Sequence, residues 1–181
     1  MLSCRAMLIF SAAKPPRKPL PERLFGLPPA ISPDCRVLVL GSFPSAASLA
    51  AKQYYAHPQN RFWRLAGDSL GIDLRTLAYR ERIKRVNAAG IGIWDIYASC
   101  ERSGSLDSAI RNAEFNDFKK LRRRAPGITC VCLNGSAAAK AVRHLTELGF
   151  ETSVLPSTSP ANASQDYAFK LARWRVALEA R

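Results

Sequence analysis

Ten consecutive residues, YYAHPQNRFW from Tyr54 to Trp63, combine aromatic rings, a proline turn, a cation and an amide that could do chemistry together. Pro58 fixes its own φ and disfavours a helical conformation at His57, so the segment predicts a turn that delivers Asn60 to the start of a helix. Apolar residues at helical spacing follow, and Gly71 ends that helix. Two roles are open for Asn60: a polar group of a site, or an N-cap whose side-chain oxygen accepts a backbone N–H.

The charge of the chain is strongly positive. The 181 residues include 27 Lys and Arg against 14 Asp and Glu, a formal net charge of +13. This excess predicts a polyanionic partner, of which nucleic acid is the commonest class, although a basic surface that serves only solubility is the alternative. The length and the 48% of hydrophobic residues predict one globular domain, and we expect a monomer.

The cysteines and histidines give no metal pattern. Five cysteines form no CxxC pair, and His57 and His144 are the only histidines, so we expect no metal and no cofactor. Cys130 and Cys132 lie two apart in an apolar run, which favours free core thiols in a cytoplasmic protein. Residues 7–10 are too short an apolar run to span a membrane, so we expect no membrane partner.

The first 33 residues differ from the rest of the chain. They hold seven prolines and several basic residues, a composition that buries little and predicts a flexible or extended segment. We therefore expect a basic, Pro-rich segment at residues 1–33 and a folded domain at residues 34–181.

Strand and helix signals alternate within that domain. Apolar runs predict strands at residues 37–40, 91–96, 128–133 and 152–155. Helices are predicted at residues 45–52 and 62–70, along an apolar face from Leu106 to Leu121, at residues 137–148, and at the C-terminal end, where Tyr167, Leu171, Trp174 and Leu178 indicate core packing. This alternation predicts an α/β fold with a mainly parallel sheet between helices and a site beyond the carboxyl ends of the strands.

Four ordered pieces of the chain resemble motifs of the uracil-DNA glycosylase superfamily, most closely its hypoxanthine-DNA glycosylase branch. They are VLVLGSFPS at residues 37–45, YYAHPQNRFW at 54–63, GIGIWDIYAS at 90–99 and VLPSTSPANAS at 154–164. The resemblance implies a three-layer αβα fold with a central, mainly parallel four-stranded sheet. It implies a monofunctional enzyme that hydrolyses the N-glycosidic bond of a deaminated base in DNA, with hypoxanthine as the expected base and uracil as the alternative.

The resemblance also implies a catalytic role for Asn60. In much of the superfamily a polar residue of the first motif positions the attacking water, but Phe43 occupies that position here. In the hypoxanthine branch Asn60 takes over this role, with His57 and Asn134 as candidate accessory residues. An amide is not a strong base, so Asn60 would orient the water while the base departs. The loss of the usual polar residue leaves open a non-catalytic nucleic-acid-binding protein of the same fold.

Three residues are candidates for holding the base. Phe43 and Tyr55 offer rings on which a base could stack, although Phe43 could instead plug the top of the sheet. Asp95 lies where the family places its base-reading Asn. An ionised carboxylate there would accept the ring N–H that hypoxanthine and uracil share and would repel the unprotonated N1 of adenine. A salt bridge from Asp95 to an arginine is the alternative.

The second motif supplies candidates for gripping DNA. Hydroxyl groups and backbone N–H groups in a turn suit phosphate oxygens, and the motif offers Ser157, Thr158, Ser159, Pro160 and Ala161. Ser42 and Ser45 of the first motif are further candidates of this kind. In better-known members a His or Asn stands at position 157, and a bulky wedge at position 161 fills the vacated base stack. The small residues present here favour a broader pocket that tolerates purines.

Overall fold

The computed structural model of the protein describes residues 22–162 and 165–179. Seven strands form within these ranges: β1 (Arg23–Phe25), β2 (Val37–Gly41), β3 (Ile91–Asp95), β4 (Tyr97–Glu101), β5 (Arg111–Phe115), β6 (Cys130–Asn134) and β7 (Glu151–Leu155). The helices are α1 (Ala46–Ala51), α2 (Phe62–Leu70), α3 (Tyr79–Ala88), α4 (Phe118–Arg124), α5 (Val142–Glu147) and α6 (Tyr167–Glu179), with 3-10 turns at Leu74–Thr76, Asp107–Ala109 and Ala138–Ala141.

The four apolar strands form one parallel sheet in the order β3-β2-β6-β7. Residues 37–40 of the central strand β2 have no exposed surface, as expected for a strand that is covered on both faces. Helix α6 contributes Trp174, which is wholly buried and meets the ring of Phe62 on α2 edge-on, with the centroids 5.8 Å apart. The predicted α/β architecture and the core role of the last helix are therefore confirmed.

A second sheet, which the sequence did not predict, packs antiparallel in the order β1-β4-β5. The helix expected along the face from Leu106 to Leu121 is wrong, because the middle of that segment is the strand β5, which pairs with β4. Asn112 within it has a positive φ of 47°, which a helix would not accommodate. A helix begins only after Asp117, whose carboxylate accepts the backbone N–H groups of Lys119 and Lys120.

The described part of the N-terminal segment belongs to the fold. Strand β1 pairs with β4, Ala30 forms a bridge with Ile93, and Ile31 is 7% exposed. Of the two states expected for this segment, flexible or extended, the flexible one is wrong for residues 22–33, because their backbone groups pair with β4 and β3. For residues 1–21, which lie outside the described residues, it stays a prediction.

The described ranges contain no group of three or more His, Cys, Asp or Glu side chains placed to hold a metal ion. None of the helices in the same ranges is long and apolar enough to cross a membrane. Cys132 is a buried free thiol as predicted, whereas Cys130 is only half-buried.

Candidate functional site

A cavity opens at the carboxyl ends of all four parallel strands, where the alternating pattern predicted a site. It is lined by Gly41, Ser42, Phe43, Pro44, Ser45, Ser48, Tyr54, Tyr55, Asn60, Asp95, Ser105, Asp107, Asn134, Ser157, Thr158 and Ser159. Most of the predicted site residues therefore lie together. His57, Pro160 and Ala161 do not line this cavity; His57 borders a neighbouring groove, and the other two form an exposed loop tip.

The turn before α2 fixes the amide of Asn60. Its backbone N–H donates to the carbonyl of His57 at 2.9 Å, which closes the turn around Pro58. Its Oδ1 accepts the N–H of Phe62, the first residue of α2, at 3.0 Å. The side chain therefore binds the start of the helix as the capping interpretation expects, although the N-cap position itself is Arg61, one residue later. A carbonyl oxygen has two lone pairs, and the cap occupies one. Capping therefore holds the amide at the cavity wall without using up its hydrogen-bonding capacity.

His57 has a structural contact in this turn. Its Nδ1 accepts the backbone N–H of Gln59 at 3.2 Å, which stabilises the turn. This contact gives His57 a structural role in the turn, and its accessory role stays a prediction.

Thr158 has no exposed surface, and each of its polar groups has a partner. Its N–H donates to Asn134 Oδ1 at 2.9 Å and its hydroxyl accepts from Asn134 Nδ2 at 2.9 Å. Its carbonyl accepts the N–H of Arg61 at 3.0 Å. This burial contradicts the predicted phosphate contact for the Thr158 side chain, which instead joins three loops.

Asn134 also reaches Tyr55, whose hydroxyl accepts from Nδ2 at 3.3 Å. The Tyr55 ring stacks on Phe62 with the centroids 3.9 Å apart, and its backbone has a positive φ of 54°. Burial raises the pKa of Tyr55, and the nearby Asp95 raises it further, so the phenol stays neutral. One ring face is thus already covered, and only the other face is left for a base.

Phe43 lines the cavity but is only 5% exposed. The guanidinium of Arg102 lies 5.0 Å from its ring centroid, a cation–π contact that covers part of the ring. The structure is compatible with both interpretations, a stacking platform and a plug at the top of the sheet.

Asp95, at the end of β3, is a buried carboxyl. It is 4% exposed, its Oδ2 has no hydrogen-bond partner, and the ion pairs of the described residues do not include it. The alternative of a salt bridge to an arginine is therefore not met within the described part of the chain. A side chain at Gly41 would place its Cβ 2.5 Å from Asp95 Oδ1, so the strand next to the carboxyl needs a glycine there.

Burial raises the pKa of Asp95 to about 8, with Asp107 raising it further and Arg102 lowering it. This shift favours the neutral carboxyl over the ionised carboxylate expected from the sequence, because burial removes the hydration that would stabilise the charge. The neutral carboxyl presents one O–H donor and one C=O acceptor.

The serine hydroxyls of the first motif have acceptors inside the protein. Ser42 Oγ donates to Asp107 Oδ1 at 2.5 Å, and Ser45 caps α1 and donates to Ser48 Oγ at 3.1 Å. A hydroxyl has a single proton, so neither group can donate to a phosphate without losing its present partner. Their predicted contact with DNA stays a prediction.

The second-motif serines are arranged differently. Ser157 Oγ accepts the N–H of Ser159 at 3.2 Å, and Ser159 Oγ accepts the N–H of Ala161 at 3.3 Å. Both hydroxyls act as acceptors in these contacts, which leaves their protons to donate outward. The last two residues of the motif, 163 and 164, lie outside the described residues.

Sequence reasoning missed three residues of this region. Ser105 and Asp107 come from the loop after β4, which carries no motif of its own. Lys170 on α6 is 1% exposed, and its Nζ donates to the carbonyls of Ser157 at 2.7 Å and Asn162 at 2.6 Å. Burial lowers the pKa of Lys170. Its position four residues before Trp174, on the buried face of α6, was the signal that could have identified it.

Comparisons with known proteins cover the same region. A model of the uracil DNA glycosylase superfamily matches residues 28–179. A protein named hypoxanthine DNA glycosylase from Methanosarcina acetivorans is 40% identical over 137 residues, which are 76% of this chain and 87% of the relative. A protein of the same name from Methanosarcina barkeri is 38% identical over 137 residues, which are again 76% of this chain and 87% of the relative. A solution NMR structure from M. acetivorans, assigned provisionally as a uracil DNA glycosylase, superposes with a TM-score of 0.78 at 36% identity, covering 87% of this chain and 97% of the other.

Asp95→Asn should stabilise the protein increasingly as the pH rises from about 4 to about 8. The unfolded chain releases the Asp95 proton near pH 4, whereas the folded chain keeps it until about 8. The wild type therefore loses stability across this window, and an amide, which does not titrate, does not. The difference in free energy of unfolding between Asp95→Asn and the wild type should grow by more than about 1 kcal/mol between the two ends of this pH range. Urea denaturation at several pH values measures it.

Asp34→Asn, at an exposed surface position, serves as the matched control and should follow the wild-type pH dependence. A stability difference between Asp95→Asn and the wild type that stays constant over this window would contradict a raised pKa of Asp95.

Proposed function

Because the chain belongs to the uracil DNA glycosylase superfamily, we propose that it is a monofunctional DNA glycosylase whose preferred substrate is hypoxanthine in DNA. Both named relatives are called hypoxanthine DNA glycosylases. The observation that carries the proposal is the unpartnered, buried carboxyl of Asp95 in a cavity at the ends of all four parallel strands. A buried polar group without a partner costs free energy, which a ligand can recover.

The neutral Asp95 carboxyl complements a lactam. Its C=O accepts the ring N–H of hypoxanthine, and its O–H donates to the neighbouring carbonyl of the base. Uracil presents the same pair of groups, which keeps uracil as the second candidate substrate. Adenine can also pair with a neutral carboxyl by exchanging donor and acceptor. Selectivity against adenine must therefore come from other features, such as its poorer departure from the sugar.

The water-orienting role falls to Asn60. Its Oδ1 is held by the N–H of Phe62, and the remaining lone pair can accept a proton of water, which turns the water oxygen toward C1′ of an extrahelical nucleotide. The amide does not remove a proton in advance of bond cleavage. The base leaves first with the electron pair of the N-glycosidic bond, and the oriented water then adds to an oxocarbenium-like sugar beside the DNA phosphates. The proton that the water loses neutralises the departed base. No lysine of the described part lines the cavity, in keeping with hydrolysis without Schiff-base chemistry.

The second motif grips the DNA backbone in this proposal. Ser157 and Ser159 have hydroxyl protons that their loop contacts do not use, and Pro160 and Ala161 form the exposed tip. Lys170 holds two carbonyls of this loop from beneath and so preorganises it. Action as a monomer without metal or cofactor, and a cytoplasmic location, belong to the same proposal.

Asn60→Ala and Asn60→Ser separate catalysis from capping. Ser is a good N-cap, so Asn60→Ser should keep the wild-type stability, whereas Asn60→Ala should lose about 1 kcal/mol. Both variants lose the water-orienting amide, and both should release hypoxanthine at least about tenfold more slowly, since positioned groups contribute about 10²–10⁴-fold. Single-turnover release from a deoxyinosine oligonucleotide measures the rate, and urea denaturation measures the stability.

A wild-type rate in Asn60→Ser would make Asn60 only a helix cap. Faster release of uracil than of hypoxanthine by the wild type would reassign the substrate and leave the reaction unchanged. DNA binding by folded wild type without release of any base would support the non-catalytic nucleic-acid-binding protein.

A second pair of variants tests base reading. Asn presents the same donor and acceptor as a neutral carboxyl, so Asp95→Asn should keep kcat/KM for hypoxanthine within about threefold. Asp95→Leu fills a similar volume without polar groups and should lose about tenfold to a hundredfold, because each lost hydrogen bond costs about 1 kcal/mol. A large loss in Asp95→Asn would show instead that an ionised carboxylate reads the base.

A further inference from the structure

The loop after β4 is anchored on the first motif by three side-chain hydrogen bonds. The guanidinium of Arg102 donates to the carbonyl of Pro44, the N–H of Ala46 donates to Ser105 Oγ at 3.0 Å, and Ser42 donates to Asp107 Oδ1 at 2.5 Å. The anchors lie at both ends of residues 102–107. The loop is therefore held as a fixed wall of the cavity.

Leu106 lies between the last two of these anchors and faces the other way. Its backbone is extended, with φ −77° and ψ 132°, so its side chain points opposite to those of its two neighbours. Ser105 and Asp107 both line the cavity, whereas Leu106 is 62% exposed. The loop thus presents an apolar side chain to solvent at the rim of the cavity.

This position distinguishes Leu106 from other exposed apolar side chains. Single exposed apolar residues are ordinary on protein surfaces. Six large ones occur in the described part of the chain: Phe25, Leu106, Phe115, Val154, Phe169 and Val176. Only Leu106 has both chain neighbours in the wall of the cavity.

A nucleotide that leaves the helix opens a gap between its neighbours, and apolar side chains inserted at a base step reduce the cost of that unstacking. In the described part of the second motif, the exposed tip offers only the small apolar side chains of Pro160 and Ala161 for this purpose. On the basis of the function proposed above, we propose that Leu106 is the wedge that enters the vacated position of the base stack. The wedge then comes from the loop after β4, on the side of the cavity formed by the first motif.

The test is the ratio of hypoxanthine release from duplex DNA to release from single-stranded DNA of the same sequence. A single strand has no duplex stack to refill, so Leu106→Ala should lower this ratio at least about tenfold, because the cost of unstacking the duplex is no longer reduced by the inserted side chain. Leu106→Met, which keeps an apolar side chain of similar reach, should restore at least half of the wild-type ratio. Val176→Ala, on the exposed side of α6, should leave the ratio unchanged.

A second readout needs no base release. A 2-aminopurine is placed next to the hypoxanthine in the DNA, and the fluorescence of 2-aminopurine rises when the bases around it unstack. Binding of the wild type should raise this fluorescence. Binding of Leu106→Ala should raise it by at most about half as much. If Leu106→Ala leaves the ratio unchanged, including by slowing release equally from both DNA forms, the role of Leu106 as the wedge is overturned even if hypoxanthine is the substrate. Absence of base release from either form by the wild type would instead overturn the proposed function, and fluorescence would still decide the role of Leu106.

Discussion

The loops of the site depend on one buried residue, Thr158. Its N–H, hydroxyl and carbonyl bind the Asn134 amide and the N–H of Arg61, so the second motif, the end of β6 and the turn before α2 form one unit. Asn134 extends this unit to Tyr55. Because Thr158 has no exposed surface, breaking any of these bonds would leave a buried polar group unpaired. The positions of Asn60 and of the second-motif loop both depend on this network.

Against this satisfied network, the carboxyl of Asp95 is left without a hydrogen-bond partner on Oδ2. The contrast is physically informative, since buried polar groups in folded proteins are nearly always paired. The protein lowers the cost by keeping the carboxyl protonated, and Gly41 leaves room for it on the neighbouring strand. Stability is thereby given up at a point where a ligand can supply the missing hydrogen bond, a trade expected at functional sites.

The sequence predicted the parallel sheet because its strands are apolar and bounded by turn residues, and it placed the motifs correctly at the strand ends. The antiparallel sheet was missed because β1 has only three residues and β5 is mostly polar. The residues between Leu106 and Leu121 also matched a helical period that strand pairing overrode. The charge state of Asp95 could not be predicted, since it depends on burial and on Asp107, which is distant in sequence. The burial of Thr158 was hidden for the same reason, because its partners come from two other loops.

A structure of the protein bound to duplex DNA that carries 2′-fluoro-deoxyinosine tests the central claim most directly. The fluorine disfavours the oxocarbenium-like sugar, so the base stays attached while the nucleotide can still leave the stack. We expect hypoxanthine in the cavity at the strand ends, with its lactam edge on Asp95 and its C1′ beside Asn60. A base that remains stacked, or that binds away from Asp95, would contradict the assignment of this cavity as the site of base excision.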